Sequence, residues 1–234
     1  MHATSSRVRF DHEFTLRPMH GNAGFERALL RHFHEQGWEG APRLYGRDHE
    51  NRLIHGALRG TAVHDDRHLP DAYLEEAAAL VRDFHDLTAG TRLAGNWEVA
   101  CHNQLAPRHT ISQKGLPYAF VDWEAAAPGV RLHDVADLCW RFVDLGPGAE
   151  DPFRRVRLIC DAYGLDQRQS LIETIMARQD RYRRIVESGA HRGDPRMLAQ
   201  YQDGEAEQVG HRLMWIREHQ RDLAAELTSS ITRG

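Results

Sequence analysis

Lysine is almost absent from this chain: of 30 basic residues in 234, only Lys114 is a lysine. Positive charge is carried by arginine, and Lys114 falls in the turn-like run Gln113-Lys114-Gly115-Leu116-Pro117, where a solvated hairpin residue is expected. Cysteine is scarce too. Cys101, Cys139 and Cys160 are odd in number, far apart and lack a C-x-x-C pair, which excludes a disulfide framework or a cysteine zinc site and leaves reduced, buried thiols. No apolar run approaches the roughly 20 residues that span a bilayer, and the opening MHATSSRVRFDHEF lacks a signal peptide's apolar segment, so a cytoplasmic location without membrane contact is expected. A net charge of −4 and a pI near 6.5 give no footprint for nucleic acid. No G-x-S-x-G elbow, P-loop or H-E-x-x-H helix occurs.

What is present suits one large domain or two lobes, with 41% hydrophobic residues to form a core. Strand-like segments cluster early: RVRF and EFTLRP within residues 7–18, then 43–47 and 52–57. Between them residues 24–36 place Phe25, Leu29, Leu30 and Phe33 on one helical stripe, stopped by Gly37. Later segments read as helices over 70–87, from Asp151-Pro152 to Tyr163-Gly164, over 167–188, and over 206–227 as one last helix, with Asp151 and Asp194 as N-caps before proline. His85 reads as a packing residue. The run His64-Asp65-Asp66-Arg67-His68 sets two imidazoles beside two carboxylates, but before a helix it reads as a solvated connector. An acidic set, Asp144, Glu150, Asp151, Asp194 and Asp203, is a candidate rim for a binding cleft.

The densest signal runs from residue 100 to 142. It contains His102-Asn103-Gln104-Leu105-Ala106-Pro107-Arg108-His109, a hairpin, a strand ending Phe120-Val121-Asp122-Trp123-Glu124, and a helix opening Asp134-Val135-Ala136. In order and spacing this resembles the catalytic segment of the aminoglycoside phosphotransferase and choline kinase-like family, H-G-D-x-x-x-x-N followed by I-D-x-E and D-x-A. The resemblance covers nearly the whole chain. It implies an α+β, two-lobed protein-kinase-like fold with a truncated N-terminal lobe (1–58) and a helical C-terminal lobe (59–234) that carries the loop region 101–124.

Gln104 stands where the family has its catalytic Asp, and His109 where it has the metal-binding Asn. A Gln amide has no useful basicity near neutrality, so Gln104 would orient a hydroxyl without taking its proton. Magnesium prefers oxygen ligands, whereas an imidazole suits zinc, copper, iron or nickel. Asp122 keeps its implied metal role, with His109 as the second candidate ligand. By the same resemblance His102 and Asp134 brace the loop, Arg17 takes the place of the phosphate-binding lysine, and Glu26 is its candidate partner. No G-x-G-x-x-G hairpin precedes Arg17, since only about a dozen residues do.

Cofactor identity stays open, and Mg-ATP binding is expected to be weak or absent. The favoured reading is a phosphotransferase-fold protein that has lost ATP-dependent phosphoryl transfer and binds a small molecule or peptide in its cleft. Two alternatives remain: an enzyme in which His109, its pKa raised by Asp122, moves protons or binds another metal, and an active small-molecule kinase with an atypical loop. A protein partner or a homodimer is open.

Overall fold

A computed structural model describes residues 9–11, 14–63 and 68–228. These divide into two compact units, the first from the chain up to Arg67 plus Ala79–Arg131, the second from His68–Ala78 plus Leu132 onward.

The first unit opens with strands β1 (Arg9–Asp11) and β2 (Phe14–Arg17), helix α1 (Ala23–Glu35), and strands β3 (Leu44–Arg47) and β4 (Leu53–Gly56). The strands form one antiparallel sheet in the order β1-β2-β4-β3. Thr15 is paired with His55 and Arg17 with Leu53. Because side chains alternate across a strand, Thr15, Arg17, Leu53 and His55 share one face. Leu29, Leu30 and Phe33 of α1 are buried, as the stripe predicts, and so is Glu26. Gly37, at φ +72°, stops the helix in the left-handed conformation.

Beyond β4 come β5 (Thr61–Ala62), α2 (Asp71–Thr88), β6 (Val99–Cys101), β7 (Thr110–Gln113), β8 (Leu116–Phe120) and β9 (Ala127–Gly129). The β7–β8 hairpin turns through Lys114 and Gly115, both at positive φ as a two-residue type I′ turn requires. Lys114 is exposed there. The short ribbon β6–β9 pairs Cys101 with Ala127, so the residue before His102 is tied to the segment just after Asp122. Neither β5 nor this ribbon was legible in the sequence, because two or three residues are too few to show alternation.

The second unit is helical: the first turns of α2, then α3 (Leu132–Arg141), α4 (Pro152–Tyr163), α5 (Leu171–His191), α6 (Pro195–Gln202), α7 (Glu205–Glu218) and α8 (Gln220–Thr228). Asp137 of α3 is gripped at both oxygens by Arg178 of α5, at 2.6 Å each. One turn on, the Arg141 guanidinium lies over the rings of Trp140 and Tyr182 at 3.9 and 4.5 Å.

Two sequence expectations change here. The single last helix breaks at His219, whose ring stacks on Trp215 at 4.3 Å and whose Nδ1 bonds back to the Trp215 carbonyl, capping α7. Asp194 caps α6 as expected, accepting from the amides of Arg196 and Met197. Asp151 does not cap α4: its backbone is left-handed (φ 43°) and its carboxylate faces Arg154. Among the described residues no helix is long and apolar enough to cross a membrane.

Candidate functional site

The loop between β6 and β7 is ordered by its own histidines. His102 is fully buried; its Nε2–H donates to the Val121 carbonyl at 2.9 Å and its Nδ1 accepts from the Gln104 amide at 3.3 Å. Its ring packs against Trp123 at 4.5 Å. These bonds tie the start of the loop to the residue before Asp122. A 3-10 turn at Pro107–His109 then brings the His109 ring inward, where its Nδ1–H donates to the Gln104 carbonyl at 2.7 Å. That bond fixes the tautomer and leaves the Nε2 lone pair directed at Asp122 Oδ2, 3.4 Å away.

Asp122 lies two residues beyond β8 in a left-handed backbone (φ 65°, ψ 52°), at the start of a 3-10 turn. Its other oxygen forms an ion pair with the Arg17 guanidinium of β2 without a well-formed hydrogen bond. Three of the sequence-derived residues, Arg17, His109 and Asp122, therefore meet. Gln104 joins them through its backbone carbonyl rather than its amide. Asp134, at the start of α3, is fully buried in the second unit.

Glu26 does not pair with Arg17. Its carboxylate accepts from His20 Nε2 at 2.7 Å and lies 3.7 Å from His55 Nε2. Burial raises the Glu26 pKa against the opposing pull of His20 and Arg17. His55 is 4% exposed and, among the described residues, its Nε2 has no hydrogen-bond partner. Burial, reinforced by the Arg17 charge, lowers its pKa to about 4. Sequence reasoning missed His20, His55 and Asn22. Asn22 occupies the N-cap position of α1 without a capping bond; its amide donates to the carbonyls of Glu124 (2.9 Å) and Ala126 (2.7 Å), joining the start of the helix to the segment after Asp122. Only the strand periodicity that puts His55 on the Thr15 and Arg17 face could have pointed to that residue.

The electrostatics correct one expectation. The Asp122 charge does favour the imidazolium, but desolvation of the buried His109 outweighs it, and the His109 pKa falls to about 4. His109 is a neutral ring at physiological pH and is not poised for proton transfer near neutrality. The donor set is also a poor match for magnesium: one carboxylate already paired with a guanidinium, one imidazole nitrogen, and a Gln in place of the loop carboxylate. The two facing atoms of His109 and Asp122 are a donor pair of the kind that imidazole-favouring metals use, with the Arg17 charge opposing any cation there.

Of the remaining sequence candidates, Asp144 pairs with Arg212 at 2.6 Å and Glu150 faces His68 at 3.6 Å. His64, Asp65, Asp66 and Arg67 lie outside the described residues.

No protein-family model and no characterised protein sequence matches the chain. Solved structures do match in fold. A spectinomycin phosphotransferase in complex with ADP and spectinomycin superposes with a TM-score of 0.59 at 8% identity, over 85% of this chain and 80% of that one. The GDP complex of aminoglycoside 2′-phosphotransferase-IIIa gives 0.57 at 10% identity, over 87% of each chain. An aminoglycoside phosphotransferase from Alicyclobacillus acidocaldarius gives 0.56 at 14% identity, over 91% and 87%. The chain thus has the α+β, protein-kinase-like fold of the aminoglycoside and macrolide phosphotransferases. At these identities the likeness defines the fold alone.

Proposed function

We propose that this chain is a phosphotransferase-fold protein that has lost ATP-dependent phosphoryl transfer and uses the Asp122 site to bind a small molecule or a peptide, in the cytoplasm and in a specialised metabolic role. The Arg17–Asp122 ion pair carries this reading. In phosphoryl transfer the cation at the strand-end Asp neutralises phosphate charge and a loop carboxylate takes the hydroxyl proton. Here a guanidinium takes up the Asp122 charge, Gln104 accepts no proton, and the nearby imidazole is neutral. What is left is a partly exposed arginine–aspartate pair beside a neutral hydrogen-bond acceptor at His109 Nε2, a set suited to holding a polar ligand.

The competing reading is a working antibiotic-type kinase with an unusual loop, favoured by the similarity to phosphotransferases solved with ADP or GDP. Titration calorimetry with Mg-ATP and Mg-GTP separates the two. The proposal expects no saturable binding at micromolar nucleotide. Micromolar affinity would overturn it and favour the kinase.

A further inference from the structure

The first unit carries a second concavity, on none of whose walls Arg17, Gln104, His109 or Asp122 lies. The turn after α1, strand β3, the end of β4 and β8 enclose about 340 Å³, with Leu30, Phe33, Ala41 and Pro42 among the apolar lining. That is the lower end of the roughly 300–1,000 Å³ typical of small-molecule sites. Its aromatic walls are Trp38, Tyr45 and Tyr118. Tyr45 is 54% exposed, with its ring edge-on to Phe14 at 5.2 Å.

The charged groups on this pocket are Glu39, Arg43 and the titratable His34. Among the described residues, no ion pair is formed by Glu39 or Arg43; the Arg43 guanidinium sits over the Tyr45 ring at 5.3 Å instead. Elsewhere in the same unit Arg17, Arg31, Arg52, Arg82 and Arg131 pair with a carboxylate, whereas Arg47 bonds the Asn51 side chain. One carboxylate and one guanidinium, neither in an ion pair among the described residues, thus share a pocket walled by aromatic rings.

The pocket is also wired to the loop. Trp38 packs edge-on against Trp123 at 6.4 Å, and Trp123, which follows Asp122, packs against His102. The Phe120 amide donates to the Gly40 carbonyl at 2.8 Å, and the Tyr118 hydroxyl donates to the Arg59 carbonyl at 2.6 Å. A ligand that moves Trp38 or Tyr118 therefore presses on the segment that holds Asp122.

We propose that this pocket is a regulatory site for a zwitterionic small molecule bearing a planar ring, with its ammonium on Glu39, its carboxylate on Arg43 and its ring against Trp38, Tyr45 and Tyr118. The site stands apart from the Asp122 site and does not depend on what binds there.

Calorimetry with three probes tests it: L-phenylalanine, which has both charges, phenethylamine, which has only the ammonium, and 3-phenylpropionate, which has only the carboxylate. Phenylalanine is expected to bind roughly fivefold more tightly than either analogue, the size of one solvent-accessible ion pair. Glu39→Gln should reduce phenylalanine to the level of 3-phenylpropionate, and Arg43→Gln to that of phenethylamine. Gly56→Ala should weaken all three, because a Cβ there comes within 3.1 Å of the Tyr45 ring and pushes it. In protein carrying ¹⁵N-labelled indoles, phenylalanine should shift the Trp38 and Trp123 signals and leave that of the exposed Trp97 in place. Equal affinity for the three probes, or no binding of any, overturns the site; a Trp38 shift without a Trp123 shift overturns its regulatory link to the loop.

Discussion

Arg178–Asp137 in the second unit and Arg17–Asp122 in the first are both arginine–aspartate pairs, and they are built differently. Arg178 grips Asp137 at both oxygens, with side chains 11% and 3% exposed, between two packed helices. Arg17 touches one oxygen of Asp122, both side chains are about a quarter exposed, and the carboxylate hangs on a left-handed backbone beside a neutral imidazole. A closed, bidentate pair away from water is a strut, since losing either partner strands a buried charge. A half-open pair with an unfilled oxygen can exchange its partner for a ligand.

Breaking the strut should have the largest effect. Arg178→Ala leaves Asp137 buried without its counter-charge and should lower stability by about 3–5 kcal/mol in urea unfolding; a loss comparable to that of an exposed pair would erase the distinction.

Acid comes next, and it acts on the first unit. His55 and His109 have folded pKa values of about 4, below the ordinary value of 6.5. Between those values the unfolded chain binds protons that the folded chain refuses, so stability is intact above pH 6.5 and falls as pH drops through that window. Each group contributes about 1.4 kcal/mol per pH unit, or roughly 2 kcal/mol between pH 6.5 and 5. The raised pKa of Glu26 works the other way and returns part of the loss as pH falls. His109→Gln should flatten the profile by about one group's share; an unchanged slope would mean that His109 is not held neutral.

Gly60 sharpens the comparison within the first unit. It has φ +145°, and a Cβ there would come within 2.4 Å of the Ser112 carbonyl oxygen. Gly60→Ala should cost about 1–3 kcal/mol and perturb β5–β7 while leaving the amide exchange of α3 and α5 as it was. Loss of protection in those helices would contradict it.

The smallest change in stability, about 1 kcal/mol or less, is expected for Arg17→Ala, because its pair is partly solvated. Its effect on binding should be the larger one: with Asp122 released, manganese binding measured by paramagnetic resonance should strengthen, and more so in Arg17→Ala combined with Gln104→Asp and His109→Asn. No gain in cation affinity would show that the guanidinium does not occupy the cation's place.

These contrasts also mark what could be read before the fold was known. The α1 stripe and the hairpin at Lys114 follow from periodicity and turn chemistry, both of which are local, whereas His102 and Asp122 are singled out by the resemblance of their segment to the phosphotransferase family. The choice of Asp122 rather than Glu26 as the Arg17 partner, and the drop in the His109 pKa, depend on how deeply each group is buried and on which strand lies next to which. Spacing along the chain carries neither quantity. The break at His219 stayed hidden because its side chain, not a proline or glycine, stops the helix.

The left-handed backbone at Asp122 fixes what a randomised codon would return at that position. Selection for folding alone would favour glycine, accept asparagine and aspartate, and discard valine, isoleucine and threonine, whose branched side chains clash in that conformation. Of glycine, asparagine and aspartate, the residues this geometry favours most, aspartate is the only one that bears a charge. A display library sorted first for protease resistance and then for ligand capture would separate the two pressures at this one codon.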